Sequence, residues 1–186
     1  MIELSLTSPI VFATLFDRHG AVIHRYLARR TGREAVDDLL AETFIAAFAT
    51  RSRYDLDYQD ARPWLYGIAS NMLARHHHAE QQALRLVGAL APERAASSYE
   101  DRVVGQLTAE AIRSELEIAL TALSAGDRDV LLLVAWEQLT YDEVAHALAI
   151  PVGTVRSRLH RARAHLRPLL ERLSGREILE EVLRNE

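Results

Sequence analysis

The chain has 186 residues, enough for one medium domain or two small ones, and nearly half are apolar, which excludes global disorder. No apolar run approaches the roughly 20 residues of a membrane span, and the absence of Cys excludes disulfides, thiolate zinc sites and a Cys nucleophile. The net charge of −4 argues weakly against nucleic acid as a partner, but the charge is unevenly spread. Residues 152–172 hold six Arg and a single acid, Glu171. Acids gather instead at Glu34, Asp37, Asp38 and Glu42, and again at Glu110, Glu115 and Glu117. Every basic residue apart from His is Arg, and Arg suits bidentate phosphate and guanine contacts better than Lys. The N-terminus lacks the positive start of a signal peptide, so a soluble cytoplasmic protein is expected.

Ala, Leu, Arg and Glu dominate, so helices are favoured over sheet. Phe12, Leu15, Phe16, His19, Val22, Ile23 and Tyr26 recur at spacings of three and four and predict a first amphipathic helix, stopped at Thr31-Gly32. A second helix is predicted over 34–50, with Val36, Leu40, Phe44, Ala47 and Phe48 on its inner face. The polar stretch RSRYDLDYQDARP has no clear period and predicts a loop. A third helix begins near Pro63, with Leu65, Ile68, Ala69 and Met72 inward. Over 84–106 the pattern weakens around Gly88, Pro92, Ser97, Ser98 and Gly105, which predicts a linker. Periodicity resumes at Ala111, Ile112, Leu116, Ala119, Leu120 and Leu123. Ser124 and Thr140 are expected N-caps of two further helices. The expected fold is therefore all-α: a helical domain over 1–83, a flexible linker over 84–106, a second helical domain over 107–173 and a tail over 174–186.

The segment LTYDEVAHALAIPVGTVRSRLHRARAHLR holds a short capped helix, a tight turn and a longer basic helix, the pattern of a helix-turn-helix. Val152, Val155, Leu159, Ala162 and Leu166 should pack inward. Arg156, Ser157, His160, Arg161 and Arg163 fall off that stripe and are suited to a major groove, where Arg bonds guanine O6 and N7. Arg158 and the remaining Arg residues suit phosphates, and Thr154 lies at the helix N-terminus, where backbone N–H groups face a phosphate.

This segment resembles region 4 of the extracytoplasmic-function (ECF) sigma factors of the sigma-70 superfamily. In the first half, DDLLAETFIAAF and ARPWLYGIASNMLARHHH resemble sigma region 2. The resemblance covers about residues 10–83 and 107–172. It implies a promoter-specificity subunit of RNA polymerase rather than an enzyme, with no cofactor or metal. Its implied partners are core RNA polymerase (the β′ clamp and the β flap), promoter DNA and an anti-sigma factor. By the same resemblance, Asp38, Leu39 and Glu42 dock on β′. Arg53, Arg62, Trp64, Asn71, Arg75 and His78 handle the −10 element. Arg156, Ser157, His160 and Arg161 approach bases of the −35 element. Ala41 and Ala149 depart from the pattern, standing where relatives carry Gln and Gly. His76, His77 and His78 stand where relatives carry Arg and Lys, which weakens phosphate attraction near neutral pH.

Acids on the second helix independently suit a basic partner surface rather than DNA. Tyr54, Tyr58, Trp64 and Tyr66, with Arg51, Arg53 and Arg62 nearby, suit the capture of unstacked bases. Consecutive helical His residues point about 100° apart and do not converge on one metal ion. The other reading of a helix-turn-helix is a free-standing transcriptional regulator with a helical sensing or dimerising domain.

Overall fold

The structure, a computed structural model, describes residues 2–88 and 109–173. These residues form eight α-helices and, among them, no strand. The first domain comprises α1 (Ile2–Thr7), α2 (Ala13–Ala28), α3 (Arg33–Thr50) and α4 (Arg62–Gly88). The second comprises α5 (Ala109–Ala122), α6 (Ala125–Ala135), α7 (Tyr141–Leu148) and α8 (Val152–Leu173). Most of the expected linker and the whole expected tail lie outside the described residues. The expected start of the linker does not coincide with a break, because α4 stays helical through Gly88. The short α1 was not anticipated. Its Ile2 is buried, and its buried Ser5 hydroxyl donates back to Ile2 O at 2.6 Å.

The first core fills the space between α2, α3 and α4. Leu15, Ile23, Tyr26 and Leu27 of α2 meet Val36, Leu39, Phe44 and Ala47 of α3 and Leu65, Ala69 and Leu73 of α4. Aromatic rings pair edge to face across these helices: Phe16 on Phe44 at 4.9 Å, Phe12 on Phe48 at 5.2 Å and Tyr26 on Tyr66 at 5.1 Å. Such pairs add about 1 kcal/mol each beyond their buried area. The fully buried Tyr26 hydroxyl keeps partners in Ser70 Oγ at 2.7 Å and in Arg30. Burial pushes its phenol up to about 12, so it remains a neutral donor at any physiological pH.

The same buried cluster continues through Val130, Leu131 and Leu133 of α6, Val144 of α7, and Val155, Leu159, Ala162 and Leu166 of α8. The predicted inner stripe of α8 is thus buried from Val155 onward, while Val152 is half-exposed. Ser124 caps α6 through its oxygen, which accepts from Asp127 N–H at 3.2 Å. The Asp127 carboxylate then takes two bonds from Arg161 of α8, at 2.8 and 3.3 Å. One acid therefore serves both the positive end of α6 and the α6–α8 contact.

Between α7 and α8 the chain reverses at Ala149, which adopts the left-handed conformation (φ 51°, ψ 45°). Ile150 N–H donates to Ala145 O at 3.0 Å and Ala149 N–H to His146 O at 3.3 Å. This is the Schellman pattern that ordinarily places Gly at the left-handed position. The relation to relatives read from sequence thus has a geometric counterpart: the turn is kept and Ala149 carries the strain.

Two outcomes test these local arrangements. Ala149→Gly should raise stability by about 1 kcal/mol, seen as a melting temperature higher by a few degrees in circular dichroism. The hydrogen bonds from Arg161, despite partial burial of the acid, hold the Asp127 carboxyl below its ordinary range. A lowered folded pKa stabilises fully above the unfolded value near pH ~4 and is lost as pH falls through the folded value. Asp127→Asn should therefore lower the melting temperature at pH 7, and the gap to the parent should narrow progressively as pH falls below ~4.

Candidate nucleic-acid interface

The strongest site is built on α7 and α8. Thr140 caps α7 reciprocally with Glu143: Thr140 N–H donates to the Glu143 carboxylate at 2.7 Å, and Glu143 N–H donates to Thr140 Oγ1 at 3.3 Å. This fixes the entry of the supporting helix. Pro151 then opens α8, its carbonyl accepting from Thr154 N–H at 2.8 Å and Val155 N–H at 3.1 Å. With Val155, Leu159, Ala162 and Leu166 turned inward, the opposite face carries a concave surface of about 830 Å³. It is lined by Tyr141 and Gly153 together with Arg156, Ser157, His160, Arg163 and Arg167.

The expected readers do not all meet there. Arg156, Ser157, His160 and Arg163 do. Thr154 sits one turn earlier, its carbonyl accepting from Ser157 Oγ at 3.0 Å. Arg161 is turned to Asp127. Arg158 lies across the start of α6, where a Cβ on Gly126 would meet its Nη1 at 2.6 Å. Helical spacing alone did not separate these cations, because Arg158 and Arg161 are drawn to α6 by an acid on another helix. Arg167 is one of the α8 arginines expected to meet phosphates, whereas Tyr141 of this surface has no counterpart among the expected residues. Arg167 extends the line Arg156–His160–Arg163 by one turn, a spacing that was legible in the sequence.

A second surface surrounds the loop before α4. Asp60 accepts from Arg62 N–H at 2.9 Å and from Arg62 Nε at 2.7 Å. Burial would raise its pKa, but the bonds from Arg62 outweigh this and keep it below the usual carboxylate value. Arg62 is thereby aimed along the loop. Tyr54 packs edge to face on Trp64 at 5.1 Å, and its hydroxyl donates to Tyr58 O at 2.6 Å. Tyr54 and Tyr58, with His19, Gln59 and Asp60, border a hollow of about 590 Å³. Burial lowers the pKa of His19, so its imidazole stays neutral beside the hollow. Trp64 is half-buried; Arg53, Asn71 and Arg75 are exposed. Trp64, Asn71 and Arg75 share one stripe of α4 by their spacing of seven and four. His78 is exposed but borders the crevice facing the second domain. Its neighbours His76 and His77 both approach Glu80, at 3.4 and 3.2 Å.

A third surface lies on α3. Asp38 and Glu42 are exposed on one face, as expected. Leu39 is not part of that face: it is 4% exposed and packs in the first core. The apolar position on the acidic face is Ile45, 68% exposed and one turn beyond Glu42. Its absence from the inner stripe of α3 is the sequence signal for this exposure.

Residues 15–83 match the profile of "Sigma-70 region 2", and residues 113–166 match that of "Sigma-70, region 4". The chain is 31% identical to the ECF RNA polymerase sigma factor SigL of Mycobacterium tuberculosis over 160 residues, covering 86% of this chain and 88% of that protein. It is also 31% identical to the RNA polymerase sigma factor CarQ of Myxococcus xanthus, covering 87% of this chain and 90% of that one. Its fold is similar to CnrH in complex with the cytosolic domain of CnrY, with a TM-score of 0.64 and 24% identity over 93% of this chain and 96% of that one. It is equally similar in fold to RpoE of Bartonella quintana bound to the anti-sigma factor NepR, with a TM-score of 0.64 and 20% identity over 86% and 96% of the two chains. Two matched regions in the right order, and relatives alike over most of their length, show that the chain belongs to the ECF RNA polymerase sigma factors of the sigma-70 family.

Proposed function

We propose that this sigma factor docks on the polymerase through α3, reads the −10 element with α4 and the loop before it, and reads the −35 element with α8. The observation that carries this reading is the sorting of charge within one chain. The α8 surface is cationic and backed by a doubly capped α7. The exposed face of α3 carries Asp38 and Glu42. Phosphates attract the first and repel the second, so the two faces suit different macromolecules. Arg156, near the N-terminal end of α8, is the base-reading candidate; Arg163 and Arg167 suit phosphates. The 590 Å³ hollow beside Tyr54 and Tyr58 is of a size and lining that suit one unstacked base.

The role is one of binding and positioning, with bond formation left to the polymerase, and it implies a cytoplasmic location. Among the described residues no helix is long and apolar enough to cross a membrane. A protein partner of the anti-sigma kind belongs to the same reading, supported by the RpoE neighbour solved with one.

Run-off transcription with purified core RNA polymerase on a genomic fragment library tests the whole. The chain should confer initiation at a discrete promoter set; tight DNA binding by the chain alone without such initiation would overturn the reading. In the same assay Asp38→Arg/Glu42→Arg should abolish both polymerase capture and transcription, and Ile45→Glu should weaken both. Leu39→Ala should act differently, costing about 2–5 kcal/mol of stability through its cavity. Undiminished capture by the charge-reversed variant would remove α3 as the docking face.

On DNA, two substitutions should separate. Arg156→Ala should cost about 1–3 kcal/mol on the cognate −35 element and relax selectivity at one position. Arg167→Ala should weaken binding evenly across sequences and reduce the salt slope by about 1, measured by fluorescence anisotropy at several salt concentrations.

A further inference from the structure

The seam between α2, α4, α5 and α6 holds a cation that no acid of the described chain answers. α4 comes against α7 at Gly67, where a Cβ would strike Ala147 O, and further along it lies beside α6. Two hollows open on this seam, of about 850 and 470 Å³. They share Arg30 just after α2, His77 and Glu80 of α4, Thr121 of α5 and Arg128 of α6, so they form one crevice. Both halves of the chain build its walls. Hollows of roughly 300–1,000 Å³ are those that take small molecules.

The charges of the crevice do not balance locally. Arg30, its side chain 5% exposed, pairs with Asp129, yet its Nε has no partner. Glu80 is taken by His76 and His77, at 3.4 and 3.2 Å. Glu117 is exposed at the edge. Arg128 is half-buried, and among the described residues it makes no hydrogen bond and no ion pair. Burial above all, and then the Arg30 charge, lower its pKa, and the Asp129 carboxylate offsets only part of this. An arginine does not shed its proton near neutral pH. The cost of burying it is relieved by an anion that accepts its hydrogen bonds. The smaller hollow ends on Trp136, 41% exposed, with Arg29 over its ring at 5.0 Å. An exposed indole beside a cationic site suits the base of a nucleotide.

We propose that this crevice binds a small phosphorylated molecule of nucleotide size, its phosphate accepting from Arg128 and Arg30 and its base lying toward Trp136. The site is separate from the α8 surface, with which it shares no residue. It does not depend on the promoter assignments made above. Phosphate fits better than a carboxylate because its several oxygens can serve two guanidinium groups at once.

Isothermal titration calorimetry of the full chain at fixed ionic strength tests the site, with inorganic phosphate, pyrophosphate and adenosine diphosphate as probes. Pyrophosphate or adenosine diphosphate should bind saturably, one per chain, with a Kd of ~1 mM or tighter. The same probe should raise the melting temperature more than sodium chloride of equal ionic strength does. Arg128→Met keeps the length of the side chain without its charge. It should weaken binding about tenfold or more, and it should raise the melting temperature of the ligand-free chain, because an unanswered cation is removed. An Arg128 that served only packing would lower that temperature instead. Arg128→Lys should keep part of the affinity, since the charge remains and the planar fork is lost. Tighter binding of adenosine diphosphate than of pyrophosphate supports a nucleotide, and equal binding supports recognition of the phosphates alone. Absence of saturable binding by all three probes, binding unaltered in Arg128→Met, or displacement of the bound probe by duplex DNA would overturn the site.

Discussion

The missing side chain at position 67 sets how the two halves of this sigma factor meet. Because nothing projects from Gly67, the backbone of α4 settles against the carbonyl of Ala147. That approach aligns Tyr58 with His146, Tyr66 with Glu137 and Arg30 with Asp129. Each of these contacts needs the others in register. A buried Arg30 is tolerable only with its carboxylate opposite, and the Tyr66 hydroxyl only with an acceptor. Polar pairs thus ring a backbone-to-backbone centre, and the buried apolar residues of the two halves form one continuous cluster.

Within the second domain the same logic of competing partners divides the arginines. Position on α8 decides which side chains avoid the core. It does not decide which remain available to DNA. Asp127, buried at the start of α6, takes Arg161, while Gly126 leaves room for Arg158 to lie alongside. Arg156, His160 and Arg167 keep the open face. The recognition helix thus spends part of its charge on fixing its own orientation. Its remaining charge is presented from a helix whose angle is held by the capped α7 and the left-handed turn at Ala149.

The first domain separates its partners by charge and by polarity. Asp38 and Glu42 with the exposed Ile45 form a surface that phosphate would repel and a basic protein groove would accept. The loop before α4 is different in kind. Its rings hold one another, Tyr54 against Trp64, and Asp60 restrains Arg62. Aromatic and cationic groups are held in place there, which would lower the ordering cost of the nucleic-acid binding proposed for this loop.

Most of the helices were legible in the sequence, because apolar spacings of three and four, Ser124 and Thr140 as caps, and Pro63 and Pro151 as first-turn signals all act locally. The helix-turn-helix was legible for the same reason, as were the acidic α3 and the basic α8. Missed features depended on residues distant in sequence. Leu39 is expected at the docking face and is core, 4% exposed within the buried cluster. Ile45 looked unremarkable and is exposed beside Glu42. The continuation of α4 to Gly88 ran through a stretch whose apolar period had already faded. The sequence by itself determined most of the helices, the order of the two matched regions and the family, since these follow from short-range periodicity and from motifs contiguous in the chain. Tertiary structure alone decided which arginines stay on the open face of α8, which leucine is hidden and how the two halves meet. Each of these depends on a partner such as Asp127, Leu65 or Ala147 brought close only when the helices pack.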